Sequence, residues 1–324
     1  MADTTITSVS PGSFVRGFFA FLADQGVKCA VLHGGHDGFE GDLSDVDFVI
    51  EPQGFARLPE WIHRWCGQQG WQLCQVLRHE TTAAYYVCSS ISDPRQAVAL
   101  DACSDYRRNE SVLLPVDELL TGLVRLPTGG SRVSEEIELC YRFVKAAAKG
   151  KNPATALDEF LRYSSVAQVA CENRLQRDWK IALKRWDDEA VTAALSALRA
   201  RLAKRPPLFN VRSLRRMVDR VLHPTGLIVV APGLREEQIA DLRETFDRLH
   251  FRRFQRATEW RPSLIKGLVT STLIVVPGIG GFVSALLPKD LLFYGEPSLE
   301  PARLRRDLAH HLHMRCMRRE RLGA

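Results

Sequence analysis

Apolar residues recur at helical spacing in SFVRGFFAFLADQ, residues 13–25, where Phe14, Val15, Phe18, Phe19 and Leu22 share one face. Gly26 is the expected stop. The next stretch, VKCAVLHGG, is short and mostly apolar and predicts a buried strand that ends at Gly34 and Gly35. A loop follows, and SDVDFVI predicts a second strand on which Asp45 and Asp47 alternate with Val46 and Phe48. Residues 58–69 predict a helix, WQLCQVLRH and AAYYVCSS predict strands, and the turn SDPR introduces another strand in QAVALDACSD. SEEIELCYRFVKAAAKG predicts a helix with Ser134 as its cap and Gly150 as its stop.

Residues 153–205 are helical in pattern and end at the joint KRPPL. Beyond it, LIVVAPG predicts a buried strand, REEQIADLRETFDRL a helix and LLFYG a further strand. The layout is α+β over residues 13–150 with a mixed sheet and flanking helices, helical over 151–205, and α/β over 206–324. Residues 1–12 are expected to be a disordered tail. Residues 268–287, LVTSTLIVVPGIGGFVSALL, carry no charge over a length that could span a bilayer. Pro277, Gly278, Gly280 and Gly281 interrupt that segment, so two buried elements joined by a turn are expected, with a membrane-inserted hairpin or span as the alternative.

Composition adds little to this outline, and charge adds more. The chain has 324 residues, 45% hydrophobic and 25% charged, as folded proteins do, which argues against disorder. The formal net charge is +6, and from Ala302 to Ala324 seven arginines face only Asp307 and Glu320. A basic final helix can meet an anionic membrane surface, a protein partner or nucleic acid, or be a solvated face. Interleaved aromatics and known nucleic-acid modules are missing from it, so no specific nucleic acid is expected. The eight cysteines include no CxxC pair and several lie in apolar runs, a usage that fits a reducing compartment. MADTTITSVSPGS lacks the charged and apolar regions of a signal peptide. A cytoplasmic location is expected, with membrane association as the alternative.

The chemistry begins with Asp45 and Asp47, which a strand projects to one face. Two neighbouring carboxylates repel, and a divalent cation with a taste for oxygen, such as magnesium, relieves the repulsion. Asp101 ends the apolar run AVAL on a strand that could lie beside the first. Three carboxylates on adjacent strands suit two ions about 4 Å apart. Gly34 and Gly35 allow phosphates to approach backbone N–H groups, and the Ser44 hydroxyl can donate to a phosphate. A role-free alternative exists for each acid: Asp45 and Asp47 as polar ends of a strand, Asp101 as a solvated carboxylate. His33 and His36 bracket the glycines and read either as phosphate contacts or as histidines without a role, and Lys145 reads either as a surface helix lysine or as part of the site.

A glycine-ended strand, a loop, SDVDFVI, and a later strand with a lone Asp resemble the polymerase-beta-type nucleotidyltransferases over residues 13–150. The nearest variety is the nucleotidyltransferases of bacterial surface-polysaccharide gene clusters. VLHGG, LDACSDYRRNESVLL and the helix LCYRFVKAAAKG match that pattern. The resemblance implies that Asp45, Asp47 and Asp101 are catalytic and bind magnesium, that Asp101 is a third ligand or general base, that Gly34, Gly35 and Ser44 cradle a triphosphate, and that Lys145 lies behind the site. It implies an NTP substrate and an acceptor that is a small molecule or glycan. This chain departs from the pattern at Gly35, where many members have Ser, and in the long loop HDGFEGDL.

HPTGLIVVAPGLREEQ is similar to the start of thymidylate-kinase-like P-loop domains, and LLPKDLLFYGEPSLEPARLRR to a later part of them. A working P-loop needs a Lys and a Ser or Thr. Here Gly233 is followed by LREE, so a degenerate kinase-like domain without phosphoryl transfer is expected. The cluster HHLHMRC, with His310 and His313 on one helix face, is a minor candidate for metal. The leading expectation is a magnesium-dependent nucleotidyltransferase; the alternative is a non-catalytic scaffold or pseudoenzyme of glycan assembly.

Overall fold

The computed structural model describes residues 9–34, 39, 43, 45–108, 111–127, 129–203, 211, 214, 218, 221–222, 224–247, 249–259, 261, 264–279 and 287–322. Among these the chain is a mixed α/β fold of two larger sheets, a two-stranded one and ten α-helices. The first sheet has seven strands in the order β3-β4-β5-β2-β1-β9-β8. These are β1 (Cys29–Val31), β2 (Asp45–Ile50), β3 (Trp71–Glu80), β4 (Ala83–Ser90), β5 (Ala97–Cys103), β8 (Val124–Arg125) and β9 (Ser131–Arg132). β1 and β2 are antiparallel, β2 and β5 parallel, and β3, β4 and β5 form an antiparallel meander. A separate hairpin joins β6 (Tyr106–Arg108) to β7 (Ser111–Leu114).

Alternation along β2 sends its residues to opposite faces. Val46, Phe48 and Ile50 pack under α1 (Pro11–Asp24) and α2 (Pro52–Gln68). Val49 packs under α4 (Glu135–Lys149), together with α5 (Pro153–Phe160), α6 (Ser165–Trp179) and α7 (Asp188–Ala203); α3 (Val116–Leu119) borders that core. Asp45 and Asp47 share Val49's face, so they point toward α4.

Residues 9–12 correct the expected tail. Ser10 caps α1 by accepting from the Ser13 amide, and the Trp71 indole donates to the Val9 carbonyl at 3.2 Å. The apolar ring of Trp71 stacks on Phe14 and needs a partner for its N–H, which the segment before α1 supplies. Ser134 occupies the N-cap position of α4 without the expected side-chain hydrogen bond, while Gly150 closes that helix at φ 70°.

The second sheet is entirely parallel, in the order β11-β12-β10-β13. Its strands are β10 (Leu227–Val230), β11 (Arg253–Arg256), β12 (Thr272–Val276) and β13 (Leu292–Tyr294). Three helices accompany it: α8 (Glu236–Phe246), α9 (Ile265–Val269) and α10 (Pro301–Glu320). The uncharged segment 268–287 contributes the end of α9 and all of β12; its part from 280 to 286 lies outside the described residues. Among the described residues no helix is long and apolar enough to cross a membrane.

The basic final helix is solvated on one side only. α10 packs against β3 of the first sheet, burying Leu304, Leu308, Ala309 and Leu312 in one core with Cys74 of β3 and Leu227, Val229 and Leu273 of the second sheet. Three of its arginines are drawn inward by oxygen acceptors, while Arg303, Arg306 and Arg318 stay exposed. Arg305 bonds Asp241 at 2.6 Å, Arg315 donates to the carbonyls of Pro224 and Gly226, and Arg319 donates to Pro224 and Asp290.

Candidate functional site

The register of β2 on β5 sets Asp47 directly opposite Asp101, with Asp45 two residues earlier opposite Ala99. Directly opposite residues share a face, so all three carboxylates line one end of the sheet beneath α4. β4 continues the row by placing Tyr85 opposite Asp101. Asp47 is buried, Asp101 half-buried and Asp45 exposed at the start of its strand.

Asp47 is held by three groups. Lys145 Nζ lies 2.6 Å from Oδ2, His33 Nε2 lies 2.6 Å from the same oxygen, and the Tyr141 hydroxyl donates to Oδ1 at 3.2 Å. Tyr141 and Lys145 reach one carboxylate because four residues of helix return to the same face. His33 arrives from the end of β1, whose pairing continues as the Leu32 amide donates to the Asp47 carbonyl. Gly34 then turns the chain away at φ 74°, a left-handed conformation that glycine adopts without cost.

These partners give the two central acids opposite protonation behaviour. Burial disfavours the Asp47 charge, but the hydrogen bond from His33 and the ammonium of Lys145 outweigh it and hold the carboxyl well below the usual range. Burial and the charge of Asp47 push Asp101 up to about 7, with Lys145 and Lys149 opposing. His79 Nε2 stands 3.6 Å from Asp101 Oδ1. The phenols of Tyr85, Tyr106 and Tyr141 are raised by burial first and by the acids second, so they remain hydrogen-bond donors at neutral pH.

A small cavity of about 40 Å³ opens on this cluster, lined among others by Asp47, His79, Asp101, Tyr106 and Tyr141. Among the described residues no three acids, histidines or cysteines close around a common point as a formed metal site does. The donor set nevertheless has the chemistry of a magnesium site. Its donors are carboxylate oxygens, the ligand type that magnesium takes. The Lys145 ammonium, in contact with Asp47, supplies the cation that a metal would otherwise bring.

Of the residues expected at the site, Asp45, Asp47, Asp101, Lys145 and Gly34 are brought to this end of the sheet. Gly35, Ser44 and His36 lie outside the described residues. Lys145 is not a surface lysine; its side chain is 17% exposed. Tyr141 was legible only as the residue four before Lys145. His79 carries no sequence signal, since it sits at a register shift of β3. In HHLHMRC, His311 and His313 face the backbone carbonyls of Asp290 and Leu73, and no metal-holding group is found there among the described residues. All eight cysteines are buried free thiols.

No family model, curated protein or solved structure matches this chain.

Proposed function

We propose that the chain is a magnesium-dependent nucleotidyltransferase that moves a nucleoside monophosphate from an NTP to an acceptor hydroxyl or phosphate, in surface-polysaccharide metabolism. The observation that carries this reading is the face-sharing row of Asp45, Asp47 and Asp101 beside β1, after which the chain turns away at Gly34. Asp45, Asp47 and Asp101 would hold magnesium, which supplies charge neutralisation for the triphosphate and the leaving pyrophosphate. The chain's own groups do the remainder. Gly34, Gly35 and Ser44 receive the triphosphate. Where Asp101 acts as general base rather than as third ligand, it takes the proton of the acceptor hydroxyl as that oxygen bonds to the α-phosphorus. The bond to the bridging oxygen breaks, and pyrophosphate leaves with the electron pair. Lys145 and Tyr141 orient Asp47. Such chemistry rests on positioning and electrostatics, so a few residues suffice.

Residues 206–324 fit a degenerate thymidylate-kinase-like domain that transfers no phosphoryl group. After β10 the turn offers Gly233 but neither Lys nor Ser/Thr. Glu236 at the start of α8 is bonded to Arg256, and Glu237 pairs with Arg235.

A second reading has one specific observation in its favour. The Lys145–Asp47 ion pair neutralises the central acid from within, as a pseudoenzyme scaffold of glycan assembly could retain after losing its metal. The two readings separate in a pyrophosphate-release assay with each of the four NTPs, magnesium and a set of sugar phosphates and alcohols as acceptors. Release by the wild type that is abolished in Asp47→Asn supports the transferase. No release with any pair, from protein that also fails to bind magnesium, supports the scaffold.

A further inference from the structure

On the far side of the acids a cleft of about 380 Å³ separates the two sheets. One wall is the end of β3, with Arg78 and His79; the other comes from the second sheet, with Arg252, Arg253 and Thr270; Arg319 and Glu320 close it from α10. Its size is that of a small-ligand site. A neighbouring hollow of about 320 Å³ shares Arg253 and Thr270 and adds Lys266. The cationic groups differ in their engagement. Arg78 is paired with Glu320, and Arg319 with Asp290. Arg252 and Arg253 are exposed and have no ion pair among the described residues. Two exposed arginines without a carboxylate partner among the described residues, lining one cleft with Arg78 and Arg319, give a cationic concave surface that attracts a phosphate.

The cleft adjoins the acids. His79 lines both this cleft and the small cavity at Asp47 and Asp101. The phenol of Tyr85, opposite Asp101 in the sheet, is influenced by Asp45, Asp101 and Asp47 and also by the charge of Arg252. The strand order fixes the sides. Gly34 and His33, just beyond β1, flank Asp47 on one side, and Asp101, Tyr85 and His79 follow on the other, toward β3. A triphosphate cradled at the glycines therefore leaves the Asp101 side for the second substrate.

We propose that the cleft between β3 and the second sheet binds the phosphate group of a small phosphorylated acceptor, with Arg252 and Arg253 as its principal contacts and His79 at the passage to Asp101. The anion site stands on the cleft alone; its assignment to the acceptor rests on the transferase reading. The C-terminal unit thereby has a use that needs no working P-loop: it closes and charges the second substrate's site.

The test is calorimetric titration of inorganic pyrophosphate into the full chain in EDTA, which leaves the carboxylates without metal. The wild type is expected to bind, and Arg252→Ala/Arg253→Ala to weaken binding by about tenfold or more for each charge-assisted hydrogen bond it removes. Arg252→Lys/Arg253→Lys should retain part of the affinity, which excludes a folding defect as the cause. Asp45→Asn/Asp101→Asn should bind pyrophosphate undiminished. No binding by the wild type, or binding that the arginine variants keep, overturns the proposal. A single-stranded oligonucleotide that binds more tightly than pyrophosphate at equal salt and depends on the same arginines overturns the small-molecule assignment. Pyrophosphate binding at the arginines in a protein that binds no magnesium–NTP leaves the anion site standing and removes the transferase reading.

Discussion

Asp47 is a buried carboxylate whose charge depends on Lys145, His33 and Tyr141. Removing the ammonium strands that charge. Lys145→Met is therefore expected to destabilise the metal-free protein by about 3 kcal/mol. The double variant Asp47→Asn/Lys145→Met should cost less than the sum of the singles, a coupling that urea unfolding of the four proteins measures. Magnesium should recover part of the loss in Lys145→Met if it replaces the ammonium. Asp101 behaves in the opposite sense. Its folded pKa lies above its ordinary 3.8, near 7, so the folded state binds more protons than the unfolded one between those values. Its contribution is fully present below about pH 4 and is lost as the pH rises through about 7. The melting temperature of Asp101→Asn minus that of the wild type should grow across that window; a constant difference would contradict the environment described. At this scale the sequence was informative about the acids, because strand alternation and an apolar run ending in Asp are local patterns. It placed His33 only beside the glycines, not against Asp47, and was silent on His79, because their partners come from strands far along the chain.

The helices and strands show where local pattern stops being a guide. Both sheets' central strands were legible as apolar runs. β11, RFQR, was not, because as an edge strand it is mostly solvated and carries no apolar period. α10 misled for a related reason. Its arginines suggest a wet surface, yet Arg315 is 3% exposed and donates to the carbonyls of Pro224 and Gly226. A buried guanidinium satisfies carbonyls that have no strand partner, and such a role is invisible until the strand's entry is placed. Arg315→Ala should cost about 3 kcal/mol, since it leaves those acceptors unpaired and opens a hole. Gly226 makes the same junction tight: a Cβ there would stand 2.5 Å from the Leu268 Cα. Gly226→Ala should cost about 2 kcal/mol through overpacking. Thermal unfolding of both variants checks these values, and a change of under about half a kcal/mol in either would contradict the packing.

For the molecule as a whole, the sequence suggested successive units, but α10 and β3 share one core. Cys74 belongs to the cluster of the second sheet, Gln75 donates to the Thr225 carbonyl at 2.9 Å, and Arg95 and Arg305 both bond Asp241. The two sheets should unfold together, in a single calorimetric transition whose van't Hoff and calorimetric enthalpies agree; two resolved transitions would contradict the shared core. That same joint builds the cationic cleft, so the placement of α10 bears on function as well as stability. The most direct test of the central reading is calorimetric titration of a non-hydrolysable NTP into the wild type and into Asp45→Asn/Asp47→Asn, with and without magnesium. Binding that requires magnesium and vanishes in the variant is the predicted result. No binding by either protein would contradict a metal–nucleotide site at the carboxylates and leave the scaffold reading in its place.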